Sequence, residues 1–197
     1  MLNDRSTPLS LLETRRSARP REMVGPAPTA DEIERLLTIA ARVPDHGKLA
    51  PWRFVTVGDD QRAALATLLH DALDAEDPSA SPAHHEKAEQ FAHNAGALVV
   101  LVAAPVADHK IPLWEQELSC GAAGMNLLLG AHALGFAGGW VTGWAAYSPM
   151  VRAAFCRAGE RIAGFIFIGH PGVPLIERPR PAIDAVRRAW LPPQATQ

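Results

Sequence analysis

The chain has 197 residues, of which 48% are hydrophobic and 20% are charged, and its formal net charge is -2. These values suit one domain with its own core over residues 1–197, and the small negative net charge gives no indication of nucleic-acid binding. The N-terminal stretch Met1–Ser10 is polar and lacks the apolar run of a secretory signal. We therefore expect a cytoplasmic protein.

The N-terminal part of the chain predicts two helices and a strand. Leu9–Arg16 has the apolar spacing of a short helix that ends in two arginines. Thr29–Glu32 matches a capping box and begins a second helix, which stops before Pro44. A strand is predicted at Phe54–Val57, bounded by a polar turn.

The rest of the chain mixes helices and strands without a regular βαβ order, which indicates an α+β fold. The predicted elements are helix Gln61–Ala75, a flexible loop and candidate lid Asp77–Pro82, helix His84–Asn94, strand Ala97–Ala103, helix Trp114–Leu134, strand Phe136–Thr142, helix Pro149–Phe155 and strand Ile162–Gly169. From His170 onward the chain is proline-rich and is predicted to be an irregular C-terminal tail that could wrap across a neighbouring subunit.

The stretch Leu118–Trp140 is nearly all apolar or small, and it is long enough to suggest a membrane span. Asn126, His132 and several glycines interrupt it, which favours a helix at the centre of a core or a dimer interface. The small residues Gly121–Gly124 would let another helix approach closely. We therefore expect a helix-on-helix dimer contact and no membrane association.

Neither a metal site nor a nucleophile stands out. His85, Glu89 and His93 recur every fourth residue and could bind a metal, but no His-Glu-x-x-His pattern supports this, so a solvated helix face is favoured and no metal is expected. Cys120 and Cys156 are expected to be buried thiols rather than a disulfide. No Gly-x-Ser-x-Gly is present, so an enzyme built on this chain would depend on a bound cofactor.

Two cationic segments are typical of a phosphorylated cofactor. One is Arg15-Arg16-Ser17, and the other is the stretch Arg42–Trp52, which adds a third arginine, a histidine and a lysine. Neither has a glycine-rich nucleotide loop, so side chains would hold the phosphate. Taken alone, the arginine pair is more typical of a solvated helix end, and the second segment shifts the balance toward binding.

The glycine-rich segment Gly138–Gly143 predicts a place where a ligand or another backbone comes close. A flat ring could lie against this strand. Tight packing against the long helix would explain the glycines equally well.

The chain resembles the nitroreductase family of flavin proteins, specifically its short YdjA-like branch. The match runs in order over about residues 9 to 172. The matching residues are Arg15-Arg16-Ser17, Ala41–His46 with Pro51-Trp52, Trp114-Glu115-Gln116-Glu117, Gly135–Trp140, Ser148-Pro149 and Gly164–Gly169.

This resemblance implies a nitroreductase-like α+β fold with a central mixed or antiparallel sheet flanked by helices. It also implies an intertwined homodimer with one FMN per active site at the subunit interface. By the same resemblance, the FMN-binding residues are Arg15, Arg16, Ser17, Arg42, His46, Trp140, Val141 and Thr142, with either Arg42 or His46 coming from the partner subunit. NADH or NADPH would contact Gly130, Ala131, His132, Ala133, Leu134 and Gly135.

The function that the resemblance implies is an FMN-dependent NAD(P)H oxidoreductase, which passes hydride through the flavin to an electron-poor acceptor such as a nitroaromatic or a quinone. Close relatives have Trp-Arg-Ser where this chain has Trp140-Val141-Thr142, so an arginine is replaced by valine. A flavin-binding protein without turnover is the alternative, and a metal hydrolase that uses the His84–His93 helix is a third hypothesis. The sequence decides neither the acceptor nor the donor.

Overall fold

The computed structural model describes residues 1–192, and it confirms the α+β class. The last residues of the predicted tail, 193–197, lie outside the described residues. The described elements are α1 Pro8–Thr14, β1 Met23–Val24, α2 Ala30–Ala40, β2 Trp52–Val57, α3 Arg62–Glu76, α4 Pro82–Ala92, β3 Ala97–Ala103, α5 Leu113–Leu134, β4 Ala137–Val141, α6 Pro149–Phe155, β5 Arg161–Pro171 and α7 Ile183–Val186.

All the described strand pairs are antiparallel, and β5 lies at the centre of the sheet. It pairs with β3, which pairs in turn with β2, and it pairs with β4 from Ala137 opposite Gly169 to Val141 opposite Phe165. The two residues of β1 pair with the end of β5. Such a short strand has no alternating pattern, so the sequence could not predict it.

Helices cover both faces of the sheet, because β3 and residues 162–168 of β5 carry no polar side chain. Leu98, Val100 and Val102 face a core formed with α3 and α4, while Val99 and Leu101 face a second core formed with α2 and α5. Successive strand residues point to opposite faces, so a continuous apolar run is buried on both sides. The long helix α5 is therefore a core element, and no helix in the described part of the chain is long and apolar enough to cross a membrane.

The predicted solvated face of α4 is a polar contact with α3. His70 Nδ1 lies 2.7 Å from His85 Nδ1, and His70 Nε2 lies 3.0 Å from a Glu89 carboxylate oxygen. The two imidazole centroids are 5.0 Å apart, so the facing nitrogens lie nearly on the line between the rings and point at each other rather than at a shared metal position. Within residues 1–192, no three His, Cys, Asp or Glu side chains are arranged as metal ligands.

The described cysteines are both free thiols. Cys120 is buried in α5, and burial raises its pKa to about 11. Cys156 is half-buried, and burial raises its pKa as well. Since the thiolate is the reactive form, both side chains are expected to be inert near neutral pH.

Candidate cofactor site

The prediction that a helix runs through Arg16 is wrong, because α1 ends at Thr14 and the backbone of Arg15 is already extended, with ψ of 127°. The Asn3 side chain captures the next peptide. Arg16 N–H donates to Asn3 Oδ1 at 2.6 Å, and Asn3 Nδ2 donates to Arg16 O at 3.1 Å. These bonds replace the helical bonds that Arg16 would otherwise make. Arg15 is therefore the C-cap residue of α1, and Arg16 lies just beyond the helix.

The extended segment that follows α1 runs beside β4. Ala18 N–H donates to Gly138 O at 3.3 Å. A Cβ on Gly139 would lie 2.5 Å from Ala18 O, which is too close for any other residue. The close approach predicted at these glycines is thus made by the protein's own backbone, and it brings the residues after Ser17 to the edge of the sheet.

Positive charge accumulates around this segment. Arg15 Nη1 donates to Ser17 Oγ at 3.1 Å, and Arg16 Nε donates to the carbonyl oxygen of Ile176 in the tail at 2.7 Å. Burial, followed by the nearby guanidinium of Arg180, lowers the pKa of Arg15. Burial, followed by the guanidinium of Arg178, lowers the pKa of Arg16. The carboxylate of Glu177 raises the pKa of both groups and offsets part of these effects. Arginine stays ionised, so guanidinium groups that are partly buried beside other guanidinium groups would be stabilised by a bound anion.

A cavity of about 400 Å³ opens where this segment passes the end of β4. Its floor is apolar and aromatic, and cations and amides stand among its lining residues. They are Arg19, Pro20, Arg21, Leu69, Lys87, Ala88, Gln90, Phe91, Asn94, Val141, Thr142, Gly143, Trp144 and Ala145. The volume and lining fall within the range of small-molecule sites.

The sequence predicts only some of the residues that line this cavity. Val141 and Thr142 line this cavity, and their contact with FMN stays a prediction. Arg19, Arg21 and Lys87 also line it, although the sequence reasoning did not name them. Arg19 lies two residues beyond the Arg-Arg-Ser motif, so its position could have suggested it. Lys87 reaches the cavity only because α4 packs on α3, and no local pattern signals that.

Trp140 does not reach this cavity. Its ring lies against Gly124 of α5, where a Cβ would meet ring carbons at 2.4 and 2.5 Å, and against Gly164 of β5. Its Nε1–H donates to Ala163 O at 3.0 Å. Gly124, which was predicted to contact another helix, therefore makes room for this indole instead. The contacts of Trp140 with α5 and β5 fix the end of β4.

The second cationic segment packs on the first half of α5. His46 Nδ1 lies 2.7 Å from Glu115 Oε2, Ser119 Oγ donates to Pro44 O at 2.5 Å, and Asn126 Nδ2 donates to Arg42 O at 3.2 Å. The side chains of Arg42 and His46 are exposed. Nothing in the described chain brings them to the Arg15–Ser17 segment.

The length of α5 separates the two predicted segments. Glu115, which holds His46, is 17 residues from His132, whose Nε2 lies 3.1 Å from Arg16 O. At 1.5 Å per residue, this is about 25 Å along the helix axis. Exposed apolar side chains lie on the same helix and on α1. They are Leu9, Leu12, Leu113, Trp114, Leu118 and Met125, with Trp114 60% and Leu118 63% exposed.

The segment predicted for NAD(P)H is mostly helix interior. Gly130, Ala131 and His132 are buried, Ala133 is exposed, and Leu134 and Gly135 are half-buried. His132 and Gly135 line a second cavity of about 590 Å³, which is also lined by Leu2, Asn3 and Arg5 and by the tail residues Pro171–Leu175.

An antiparallel sheet between helical layers, with a cationic segment that leads into an aromatic cavity, defines an α+β protein with a candidate cofactor site. The chain belongs to the nitroreductase family, since the sequence profile described as "Nitroreductase family" matches residues 12–170. It is 35% identical over 164 residues to "Putative NAD(P)H nitroreductase YdjA" of Escherichia coli (strain K12), which covers 83% of this chain and 87% of that protein.

Two further comparisons agree with this family. The chain is 37% identical over 178 residues to "Putative NAD(P)H nitroreductase" of Haemophilus influenzae, covering 89% of this chain and 94% of the relative. The crystal structure of a nitroreductase with bound FMN from Bacteroides fragilis superposes with a TM-score of 0.66 at 20% identity, over 90% of this chain and 96% of that one. The predicted family and its fold are thereby confirmed.

Proposed function

We propose that this protein is an FMN-dependent NAD(P)H oxidoreductase that reduces electron-poor acceptors such as nitroaromatics or quinones. The observation that carries the proposal is that the Arg15–Ser17 segment continues directly into Arg19 and Pro20, which line the cavity together with Val141 and Thr142. One end of the site is suited to a phosphate and the other to a flat ring, which are the two parts of FMN.

The residues present fit this cofactor. Arg15, Arg16 and Ser17 provide guanidinium and hydroxyl donors for a phosphate. Val141 and Phe91 provide apolar surface for an aromatic ring. Bound FMN would accept hydride from NAD(P)H and pass it to the acceptor, and this chemistry needs no acidic or basic side chain.

The chain's own residues would bind, orient and stabilise charge. Arg19 and Lys87 stand at the cavity, and within residues 1–192 Lys87 forms no ion pair, while Arg19 is paired with Glu22 at 2.8 Å. Cations beside a ring that gains negative charge on reduction would favour the reduced form. Thr142 is exposed at the same wall and offers a hydroxyl to a polar ring edge.

We also propose that the active unit is a homodimer whose partner supplies Arg42 and His46 to each site. The separation of about 25 Å along α5 keeps these side chains from the Arg15–Ser17 segment of their own chain. An antiparallel contact between two α5 helices would place the His46 end of one chain beside the Arg16 end of the other. The exposed apolar side chains on α1 and α5 provide the surface for such a contact.

The test is the absorption spectrum of the freshly purified protein, before and after anaerobic addition of NADH and of NADPH. We expect a yellow protein that either donor bleaches, and the faster donor is the preferred one. A yellow protein that neither donor bleaches would favour the flavin-binding protein without turnover. A colourless protein that FMN cannot reconstitute would refute the proposal.

A further inference from the structure

His132 of α5 is fully buried, and both of its ring nitrogens face backbone carbonyl groups. Nδ1 lies 2.6 Å from Leu128 O, and Nε2 lies 3.1 Å from Arg16 O. Carbonyl oxygens only accept hydrogen bonds, and a neutral imidazole has a single N–H to donate. The neutral ring therefore satisfies one of these carbonyls, whereas the doubly protonated ring satisfies both.

The carbonyl at Nε2 belongs to the segment that carries the predicted phosphate contacts. The same Arg16 peptide is held from the other side by Asn3, through the two hydrogen bonds that end α1. Asn3 has a left-handed backbone with φ of 55°, which asparagine tolerates better than most residues. Two side chains outside the cofactor cavity thus fix the backbone from which the Arg16 guanidinium projects.

We propose that His132 is a positioning residue for the Arg15–Ser17 segment, and that anion binding at this segment is coupled to protonation of His132. The proposal rests on the proposed function, because the anion is the phosphate of FMN. Protonation gives Nε2 a hydrogen to donate to Arg16 O, which draws the segment onto α5. A phosphate bound at the segment favours the protonated ring in return, because such coupling is reciprocal.

The charges around His132 determine the direction of the effect. Burial lowers the pKa of His132, its hydrogen bonds with Leu128 and Arg16 raise it, and the positive charge of Arg15 lowers it. A phosphate beside Arg15 offsets that positive charge. The pKa of His132 is therefore higher in the FMN complex than in the free protein, so FMN affinity rises as the pH falls through it.

Other elements around the ring add few titratable groups. From the N-terminal segment, Arg5 lines the neighbouring cavity and lies against Gly135. The tail residues 171–175 carry no titratable side chain. From β5, His170 packs on Phe136 with ring centroids 5.0 Å apart. On the α2 side, Leu36 and Ile39 face Gly130.

The experiment measures the Kd of FMN for the full apo-chain between about pH 5 and 8, with His132→Gln and His132→Asn as the variants. The amide nitrogen of glutamine reaches the position of Nε2, so it keeps a permanent donor to Arg16. The amide nitrogen of asparagine reaches only the position of Nδ1. We expect near wild-type affinity for His132→Gln. We expect roughly three- to tenfold weaker binding for His132→Asn, because Arg16 O then keeps only its hydrogen bond from Asn3 Nδ2.

The pH profile separates positioning from a purely structural role. The FMN phosphate itself titrates near pH 6 and weakens binding at low pH, so each variant is compared with wild type at the same pH. As the pH falls, the affinity of the wild-type protein for FMN should increase by roughly three- to tenfold relative to the affinity of either variant. His170→Gln, a matched change on a neighbouring histidine, should keep the wild-type profile. Asn3→Gly, which leaves His132 as the side-chain donor to Arg16 O, should show a steeper profile.

Equal affinities and wild-type pH profiles for the asparagine and glutamine variants would overturn the role of His132, while leaving the flavin site intact. So would an Asn3→Gly variant whose pH profile matches that of wild type. Wild-type protein that binds no FMN at any pH would overturn the proposed function, and the positioning role with it.

Discussion

Replacing Arg16 by alanine tests the phosphate end of the proposed site. Its guanidinium already donates Nε to Ile176 O at 2.7 Å and Nη1 to Ser17 O at 3.3 Å, which leaves Nη2 and the second hydrogen of Nη1 for an anion. A hydrogen bond between charged partners contributes about 1.5–3 kcal/mol. Arg16→Ala should therefore weaken FMN binding by roughly 10- to 100-fold. The assay is quenching of flavin fluorescence on titration of the apo-protein, together with the FMN content of the purified variant.

Riboflavin, which has the same ring without the phosphate, makes this prediction specific. If Arg16 contacts the phosphate, the penalty for FMN should nearly vanish for riboflavin. Arg35→Ala, an exposed arginine on α2, removes the same charge from a different surface and should leave both affinities unchanged. Equal penalties for FMN and riboflavin, or full FMN occupancy in Arg16→Ala, would refute the assignment of this segment to the phosphate.

Three further predictions concern stability and assembly. Arg53 hydrogen-bonds Glu160 and holds its pKa at about 2, so Glu160→Gln should lower the free energy of unfolding by about 2–3 kcal/mol near pH 7. This difference is complete above the ordinary glutamate value of 4.5 and is lost as the pH falls toward 2, as urea titrations at several pH values would show. Glu117→Gln, in the more exposed pair with Arg161, should cost less than about 1 kcal/mol, and equal losses in the two variants would contradict this reasoning. Gly164→Ala should lower the free energy of unfolding by about 1–3 kcal/mol, and with it the melting temperature, because the new methyl would lie 1.9 Å from Trp140 Nε1. An unchanged melting temperature would show that the indole can move freely. Leu118→Glu should halve the mass measured by sedimentation and release FMN. Tyr147→Glu changes another exposed side chain, one that lies outside α1 and α5, and should do neither. A Leu118→Glu variant that stays dimeric would place the interface elsewhere.

Sequence reasoning was most accurate where a pattern is local. The capping box at Thr29 is present, with Glu32 N–H donating to Thr29 Oγ1 at 3.3 Å and Thr29 N–H donating to Glu32 at 2.8 Å. The buried run of β3 matches its predicted bounds, Ala97–Ala103. Cys120 and the long helix α5 also lie where composition predicted, in the core, whereas Cys156 is only half-buried.

Prediction was wrong or incomplete where a distant partner decides the structure. The helix α1 stops at Thr14 because Asn3 captures the Arg16 peptide, and no nearby residue signals that. The tail, predicted to be irregular, contains the four-residue helix α7. The candidate lid at residues 77–82 contains a turn in which Ser79 N–H donates to Asp77 Oδ1 at 3.0 Å, and its role as a lid stays a prediction.

For the candidate site as well, residues signalled by a local pattern could be predicted, and residues brought in by distant packing could not. Val141 and Thr142 could be placed at a cavity from the glycine-rich strand that precedes them. Lys87 and Phe91 could not be placed there, because they reach the cavity only through the packing of α4 on α3. The cytoplasmic location and the contacts with NAD(P)H also stay predictions.

The most direct test of the central claim is subunit complementation. Arg16→Ala and Arg42→Ala chains are purified separately, mixed under conditions that exchange subunits, and assayed for bound FMN. In a site shared by two subunits, each mixed dimer has one doubly damaged site and one intact site, so random exchange restores about one quarter of the sites. Recovery to that level would support a site built across the interface, whereas FMN binding that stays at the level of the separate variants would contradict it.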